Sequence, residues 1–172
     1  MDVRILIADD ELPILELLSE FINKLGYQAD TAQDVDSAIE CLENDAYDIV
    51  ITDKNMPGPQ GSLEGGMALL RWLKENAART EVIMMTGYAT IETAVEAMKL
   101  GAFDYIVKPV DENRLIATIR KSLQFNELNQ ENQALKEQLL KGSLKRPEVF
   151  QDIKTNSAKM MMLFGYAESI AK

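Results

Sequence analysis

Histidine is absent from the 172 residues, and cysteine occurs once, at Cys41. A chain without histidine has no histidine-based metal site, general base or catalytic triad. A lone cysteine allows neither an intramolecular disulfide nor a zinc site built from thiolates. Basic residues are also few, 18 against 28 acidic ones, which gives a net charge of −10. That balance disfavours contact with a phosphate backbone, so we expect no nucleic-acid binding by these residues.

Long apolar runs are missing as well. No stretch is long enough to cross a bilayer, and the N-terminus has no charged-then-apolar leader, so we expect a cytoplasmic protein without membrane contact. What remains is an ordinary globular composition, 47% hydrophobic and 27% charged. The length suits one domain of common size with an extension.

Short apolar runs alternate with helical periodicity along most of the chain. The runs predict strands at 3–8, 27–31, 47–52, 81–85 and 103–107, and the intervening segments predict helices at 13–25, 34–43, 67–76, 90–100 and from 111 onward. This alternation predicts an α/β fold, a flavodoxin-like doubly wound sheet of five parallel strands. The order 2-1-3-4-5 would place the ends of the first and third strands side by side.

Polar residues stand at the carboxyl ends of four predicted strands, where open α/β sheets bind ligands. They are Asp9, Asp10, Asp53, Thr86 and Lys108. Two carboxylates about 4 Å apart repel by roughly 4 kcal/mol at an effective dielectric near 20, and a hard divalent cation such as Mg²⁺ would offset that repulsion. We therefore interpret Asp53 as a nucleophile that accepts a phosphoryl group, with Lys108 and Thr86 contacting its oxygens.

The backbone around Asp53 carries further expectations. The carbonyl of Asn55 would complete the metal ligands, and a cis peptide bond before Pro109 would aim Lys108 inward. The Gly- and Pro-rich loop from Met56 to Gly66 should be mobile. Simpler interpretations stay open, because the acidic residues also suit a helix N-terminus and Asp53 also suits a cap for its own turn.

Four segments resemble the receiver domain of two-component response regulators. They are IADDE at 7–11, DKNMP at 53–57, MTG at 85–87 and GAFDYIVKP at 101–109. The resemblance covers residues 1 to about 122. It implies that Asp53 is the phosphoacceptor, that Asp9 and Asp10 bind Mg²⁺, and that a cognate sensor histidine kinase is a partner. It also implies that Lys108 contacts the phosphoryl group and that Thr86 and Tyr105 form a switch pair.

One departure from that family lies beside the site. The loop after Pro57 is several residues longer and richer in glycine than is usual there. We expect it to alter either the access of the phosphodonor or the lifetime of the acyl phosphate. Tyr88, two residues after Thr86, stands where the hydrolysis rate would be tuned.

The last predicted helix meets no breaker until Gly142. Its second half has a seam with alternating spacings of three and four, formed by Phe125, Leu128, Asn132, Leu135 and Leu139. Such a seam predicts a parallel two-stranded coiled coil, in which Asn132 would fix the register. We expect a receiver domain over 1–122, a coiled-coil dimerisation linker over 123–141, and a further linker with the start of another domain over 142–172.

Residues 150–172 are similar to the opening of the AAA+ domain in sigma-54-dependent (NtrC-type) transcription activators. No G-x-x-x-x-G-K-[ST] phosphate loop occurs in the chain, so ATP and DNA binding would belong to the full-length protein. We expect a phosphoacceptor regulatory domain rather than an enzyme. This domain would act on the AAA+ domain through a phosphorylation-dependent dimer rearrangement. Two alternatives stay open, a stand-alone adaptor whose helical tail binds a partner and a phosphatase with an aspartyl-phosphate intermediate.

Overall fold

The computed structural model describes residues 3–58, 62, 64–77, 79–142 and 160. Strands and helices alternate along them in the predicted order. The elements are β1 (Arg4–Ala8), α1 (Leu12–Lys24), β2 (Gln28–Ala32), α2 (Val35–Asn44), β3 (Ile49–Asp53), α3 (Gly65–Asn76), β4 (Glu81–Thr86), α4 (Ile91–Lys99), β5 (Asp104–Val107) and α5 (Glu112–Gly142).

The strands form one parallel sheet of five in the order β2-β1-β3-β4-β5, which confirms the predicted topology. β1 lies beside β3, with Ala8 opposite Thr52. β4 pairs with β3 on one side and with β5 on the other, and Thr86 is opposite Val107. The carboxyl ends of β1, β3, β4 and β5 therefore lie along one edge of the sheet.

Apolar side chains cover both faces of the sheet, as a parallel sheet requires. On one face, Ile5 and Ile7 of β1 pack with apolar residues of α1 and α5, namely Leu15, Leu18, Ile22, Leu115 and Ile119. On the other face, Leu6 and Ala8 pack in a layer with residues of α2, α3 and α4, among them Val35, Ala38, Met67, Leu70 and Ala97. Successive residues of β1 thus contribute to opposite layers, which fixes the register of the strand.

Two element boundaries near the predicted site differ from the sequence prediction. β3 includes Asp53 as its last residue, whereas the prediction ended the strand at Thr52. α3 begins at Gly65 rather than at Met67. The helix starts earlier because the N–H of Gly65 donates to the carbonyl of Met56 and holds the first turn against the end of β3.

The last helix, α5, is continuous from Glu112 to Gly142, as the absence of breakers predicted. By contact density the chain divides into the units Met1–Asn126 and Glu127–Lys172. In the first unit, the ring of Phe125 packs against Phe103 with centroids 5.9 Å apart. In the second, Leu128 and Leu135 are 51% and 57% exposed.

Part of the sequence prediction falls on residues that the structure does not describe. The side chain of Leu139, in the predicted seam, is one case. The predicted linker and start of the AAA+ domain after Gly142 are another, since only Met160 of that stretch is described. In the part of the chain that is described, none of the helices has the length and apolar content of a membrane span.

Candidate functional site

Two buried carboxylates, those of Asp9 and Asp53, stand at the ends of β1 and β3. Asp9 has no exposed surface and Asp53 is 4% exposed. The N–H of Glu11 donates to Asp9 Oδ1 at 3.0 Å, and the N–H of Asn55 donates to Asp53 Oδ2 at 2.6 Å. These turns fix both carboxylates and leave one oxygen of each available to another partner.

That other partner is the ammonium group of Lys108, which follows β5. Its Nζ lies 2.7 Å from Asp9 Oδ2 and 2.8 Å from Asp53 Oδ1, and 3.5 Å from the Oε1 of Glu11. The Lys108–Pro109 peptide bond is cis, as the sequence predicted. One ammonium group therefore joins residues that follow or end three different strands.

Burial and ion pairing oppose each other in this cluster. Burial lowers the pKa of Lys108, but its hydrogen bonds to Asp53 and Asp9 outweigh burial, and the pKa is raised above its ordinary value. Burial raises the pKa of Asp9, and the hydrogen bond from Lys108 offsets that effect only in part. The site thus holds a desolvated carboxylate that a nearby cation stabilises.

Thr86 is buried at the end of β4, and its hydroxyl contacts the loop that follows. Its Oγ1 accepts a hydrogen bond from the N–H of Tyr88 and donates one to the carbonyl of Tyr88, both at 3.2 Å. The side chain of Tyr88 is itself solvent-exposed. Because a hydroxyl has a single proton, that of Thr86 is directed to the loop in this structure.

Tyr105 is buried on β5, and its hydroxyl lies 3.1 Å from the Oγ1 of Thr93 in α4. Thr93 also completes a capping box at the start of α4. Its N–H donates to Thr90 Oγ1, and the N–H of Thr90 donates to Thr93 Oγ1, both at 3.2 Å. The sequence analysis missed the contact between Tyr105 and Thr93, although Thr90 and Thr93, three residues apart, formed a visible capping pattern.

Comparison with known families agrees with this geometry. Residues 5–120 match the family model described as response regulator receiver domain. The chain belongs to the response regulator receiver domain family. All of the strand-end residues described above fall inside the matched range, as does the long loop after Pro57.

Curated relatives of this receiver domain are considerably longer proteins. Regulatory protein AtoC of Escherichia coli (strain K12) is 34% identical over 158 residues, which are 92% of this chain and 32% of AtoC. Transcriptional regulatory protein ZraR of the same strain is 34% identical over 122 residues, 71% of this chain and 26% of ZraR. The chain thus spans about a third or less of these relatives.

Solved structures of similar proteins share the fold. NtrX from Brucella abortus in complex with ADP is 30% identical, with a TM-score of 0.70, and the match covers 99% of this chain and 35% of that chain. The beryllofluoride-activated NtrC4 receiver domain dimer is 31% identical, with a TM-score of 0.65, and covers 72% of this chain and 97% of that chain.

The chemistry of the receiver's strand-end residues suits Mg²⁺, the ion that the family implies. The buried oxygens of Asp9 and Asp53 already converge on a cation, the ammonium of Lys108. Carboxylate and carbonyl oxygens are the ligands that this ion prefers. Asp9, Asp10, Asp53 and the carbonyl of Asn55 would hold it. Among the described residues, however, no three acidic side chains are preassembled as a metal cluster.

The predicted site residues are thus brought together in part. Asp9, Asp53 and Lys108 converge, while Asp10 is exposed next to Asp9. Glu11 approaches Lys108 as well. The sequence analysis included Glu11 in the motif after the first strand but predicted no role for it.

Proposed function

We propose that this receiver domain is the phosphoacceptor module of a two-component response regulator, with Asp53 as the acceptor. The observation that carries the proposal is the convergence of Asp9, Asp53 and Lys108 at the edge where α/β sheets bind ligands. A cognate sensor histidine kinase is the donor. Lys108 then serves as the fixed positive charge that meets the incoming phosphoryl group.

The transfer is a displacement at phosphorus. A carboxylate oxygen of Asp53 attacks the phosphorus of a phosphohistidine, the P–N bond breaks, and its electron pair stays on the imidazole nitrogen, which is then protonated. The hydrogen bond from Asn55 N–H to Asp53 Oδ2 holds the nucleophile in one orientation. Mg²⁺, when bound, neutralises charge on the phosphoryl oxygens. The product is an aspartyl phosphate, so the module accepts one group and does not turn over a substrate.

Phosphorylation would compete for the hydroxyl proton of Thr86. That proton cannot bond the carbonyl of Tyr88 and a phosphoryl oxygen at the same time. When Thr86 turns to the phosphoryl group, the loop between β4 and α4 loses its attachment to the end of β4. Thr86 thereby has two alternative partners, which is what a two-state switch requires.

Tyr105 would hold the other end of that loop. If its phenol donates to Thr93 Oγ1, the threonine oxygen accepts two hydrogen bonds and donates its own proton to the carbonyl of Thr90. That uses the full capacity of a hydroxyl group. The start of α4 is then anchored to β5 while its preceding loop is free to move.

The response would reach the rest of the protein through a change of dimer geometry. The exposed Leu128 and Leu135 on α5 support a parallel coiled coil, with Asn132 as the register residue. A solved relative is a beryllofluoride-activated receiver dimer. A coupling of about 1–3 kcal/mol is typical between such sites and is sufficient to shift a balanced dimer.

The full-length protein would be a sigma-54-dependent transcription activator. The relatives AtoC and ZraR are named as regulatory proteins, and the match to NtrX, solved with ADP, extends over 99% of this chain. In this proposal the receiver acts on an AAA+ domain that binds ATP, and DNA binding is a property of the whole protein.

Labelling with a small phosphodonor and Mg²⁺ tests the acceptor assignment. We expect one phosphoryl group per chain in the wild type and none in Asp53→Asn. Asp36→Asn, which alters an exposed acid in the first turn of α2, should label like the wild type. Equal labelling of wild type and Asp53→Asn would refute the assignment, and rapid consumption of the donor would favour a phosphatase.

A further inference from the structure

The first turn of α3 packs directly on the backbone that follows Asp53. The N–H of Gly66 donates to the carbonyl of Lys54 at 3.1 Å, and the N–H of Gly65 donates to the carbonyl of Met56 at 3.0 Å. Asn55 lies between these two acceptors. Among the described residues, no hydrogen bond to the carbonyl oxygen of Asn55 is found.

This close approach requires glycine at both positions. A Cβ on Gly66 would collide with the carbonyl oxygen of Asp53 and would lie 2.8 Å from Lys54 Cα. A Cβ on Gly65 would collide with the carbonyl oxygen of Met56. The colliding atoms belong to the backbone of Asp53, at the end of β3, and of the turn that follows it, so they cannot move aside as the tip of a side chain can.

The same packing closes the base of the long loop after Pro57. The N–H of Gly58 donates to the carbonyl of Ser62 at 2.8 Å, and a Cβ on Gly58 would lie 2.8 Å from Gly65 Cα. The chain on the two sides of the loop therefore meets backbone to backbone. The additional residues of the loop leave the contact between α3 and the end of β3 in place.

We propose that Gly65 and Gly66, the glycine brace, position the carbonyl of Asn55 as a ligand for a divalent cation. The brace holds the Lys54–Asn55 and Met56–Pro57 peptide planes, and the peptide plane that carries the Asn55 carbonyl lies between these two fixed planes. The inference rests on the proposed function, in which this carbonyl completes the Mg²⁺ site. The first turn of α3, and not the acidic residues alone, then determines the geometry of the metal ligands.

Hydrogen exchange in the wild-type 172-residue protein tests the brace without any substitution. If the brace positions a metal ligand, Mg²⁺ must in turn stabilise the brace, because linkage between two events is reciprocal. We expect saturating Mg²⁺ to slow exchange of the Gly65 and Gly66 amides several-fold more than that of the Gly26 amide, which follows α1. Equal changes at the three amides would overturn the inference.

Matched Gly→Ala variants give a second measurement. Gly66→Ala should bind Mg²⁺ about tenfold or more weakly than the wild type, the size of effect seen when support of a metal ligand is lost. Gly87→Ala is the control, because a Cβ there meets no atom within 4 Å. Circular dichroism establishes that each variant is folded. A folded Gly66→Ala with wild-type affinity contradicts the brace, and the exchange measurement decides if that variant does not fold.

The outcomes separate the brace from the proposed function. If the wild type binds no Mg²⁺ and takes no label from the phosphodonor, the phosphoacceptor proposal fails and the brace fails with it. If the wild type binds Mg²⁺ and is labelled, but the exchange and affinity results show no linkage to Gly65 and Gly66, only the brace fails.

Discussion

At the scale of single residues, one ammonium group holds two buried carboxylates together at the candidate site. Lys108 contacts both Asp9 and Asp53, and its side chain is 15% exposed. Removing one partner of a buried ion pair leaves the remaining charge without compensation, which is more costly than the pair itself is stabilising. Lys108 should therefore matter for stability as well as for phosphorylation.

Lys108→Gln should lower the free energy of unfolding at neutral pH by about 3–5 kcal/mol, because two buried carboxylates lose their cation. Millimolar Mg²⁺ should recover more stability in this variant than in the wild type. Urea unfolding with and without Mg²⁺ measures both effects. Lys121→Gln, at an exposed position of α5, is the control and should change little. A Lys108→Gln protein as stable as that control would contradict the account.

The ion pairs of Lys108 with Asp9 and Asp53 also predict how the stability of the protein changes with pH. The pKa of Lys108 in the folded protein is raised above the ordinary value of 10.5. Its contribution to the free energy of unfolding is therefore fully present below about pH 10.5 and is lost as the pH rises through the folded pKa. The difference in unfolding free energy between wild type and Lys108→Gln should therefore be constant near neutrality and shrink in the alkaline range. Urea unfolding from neutral pH to beyond 10.5 measures it, and a difference that grows there would be inconsistent with this pairing.

Residue-level prediction from sequence succeeded where strand ends decide position. Asp9, Asp53 and Lys108 meet because parallel strands end at one edge of the sheet. The strand pattern did not reveal which of the neighbouring acids Asp9 and Asp10 would be buried, because that choice depends on how the chain turns after the strand. The sequence also did not predict that the hydroxyl of Thr86 would bond the backbone of Tyr88, because that contact depends on the conformation of the loop after β4.

At the scale of elements, the start of α4 links the candidate switch residues. The loop before it is held by Thr86 at one end, and the capping box contacts Tyr105 at the other. The sequence prediction began this helix at Thr90, one residue before the first helical residue Ile91, because helical periodicity is a local feature. The contact with Tyr105 depends on the sheet order, which brings β5 against α4, and so it required the three-dimensional structure.

Thr93→Val should remove the side-chain half of the capping box, which is the hydrogen bond from the N–H of Thr90 to Thr93 Oγ1, and the partner of the Tyr105 hydroxyl. We expect a loss of about 1 kcal/mol in unfolding free energy, and Thr93→Ser should retain most of the stability because it keeps the hydroxyl. Thermal and urea unfolding of both variants provide the comparison. If valine and serine gave the same stability, the hydroxyl at this position would not have the role assigned to it.

At the scale of the whole molecule, the sequence predicted the sheet order because alternating elements with short links leave few topologies. The predicted coiled coil could not be tested in a single chain. The continuity of α5 was predicted from the absence of breakers, but a seam between two chains depends on a second molecule. The assignments after Gly142 fall almost wholly on residues outside the described part of the chain.

Leu135→Asp should convert a dimer of this protein to monomers, because it places a charge on the proposed apolar seam. Gln130→Asp introduces the same charge away from the seam and should leave the dimer intact. Sedimentation equilibrium over a range of concentrations distinguishes the two. A monomeric wild type, or a Leu135→Asp protein that remains dimeric, would rule out the seam as the dimer contact.

Locating the phosphoryl group itself tests directly whether Asp53 is the phosphoacceptor. The protein is treated with a small phosphodonor and Mg²⁺, the acyl phosphate is trapped by borohydride reduction, and peptides are sequenced by mass spectrometry. We expect residue 53 alone to be converted from aspartate to homoserine. Conversion at Asp9, Asp10 or another acid with residue 53 unchanged would contradict this assignment.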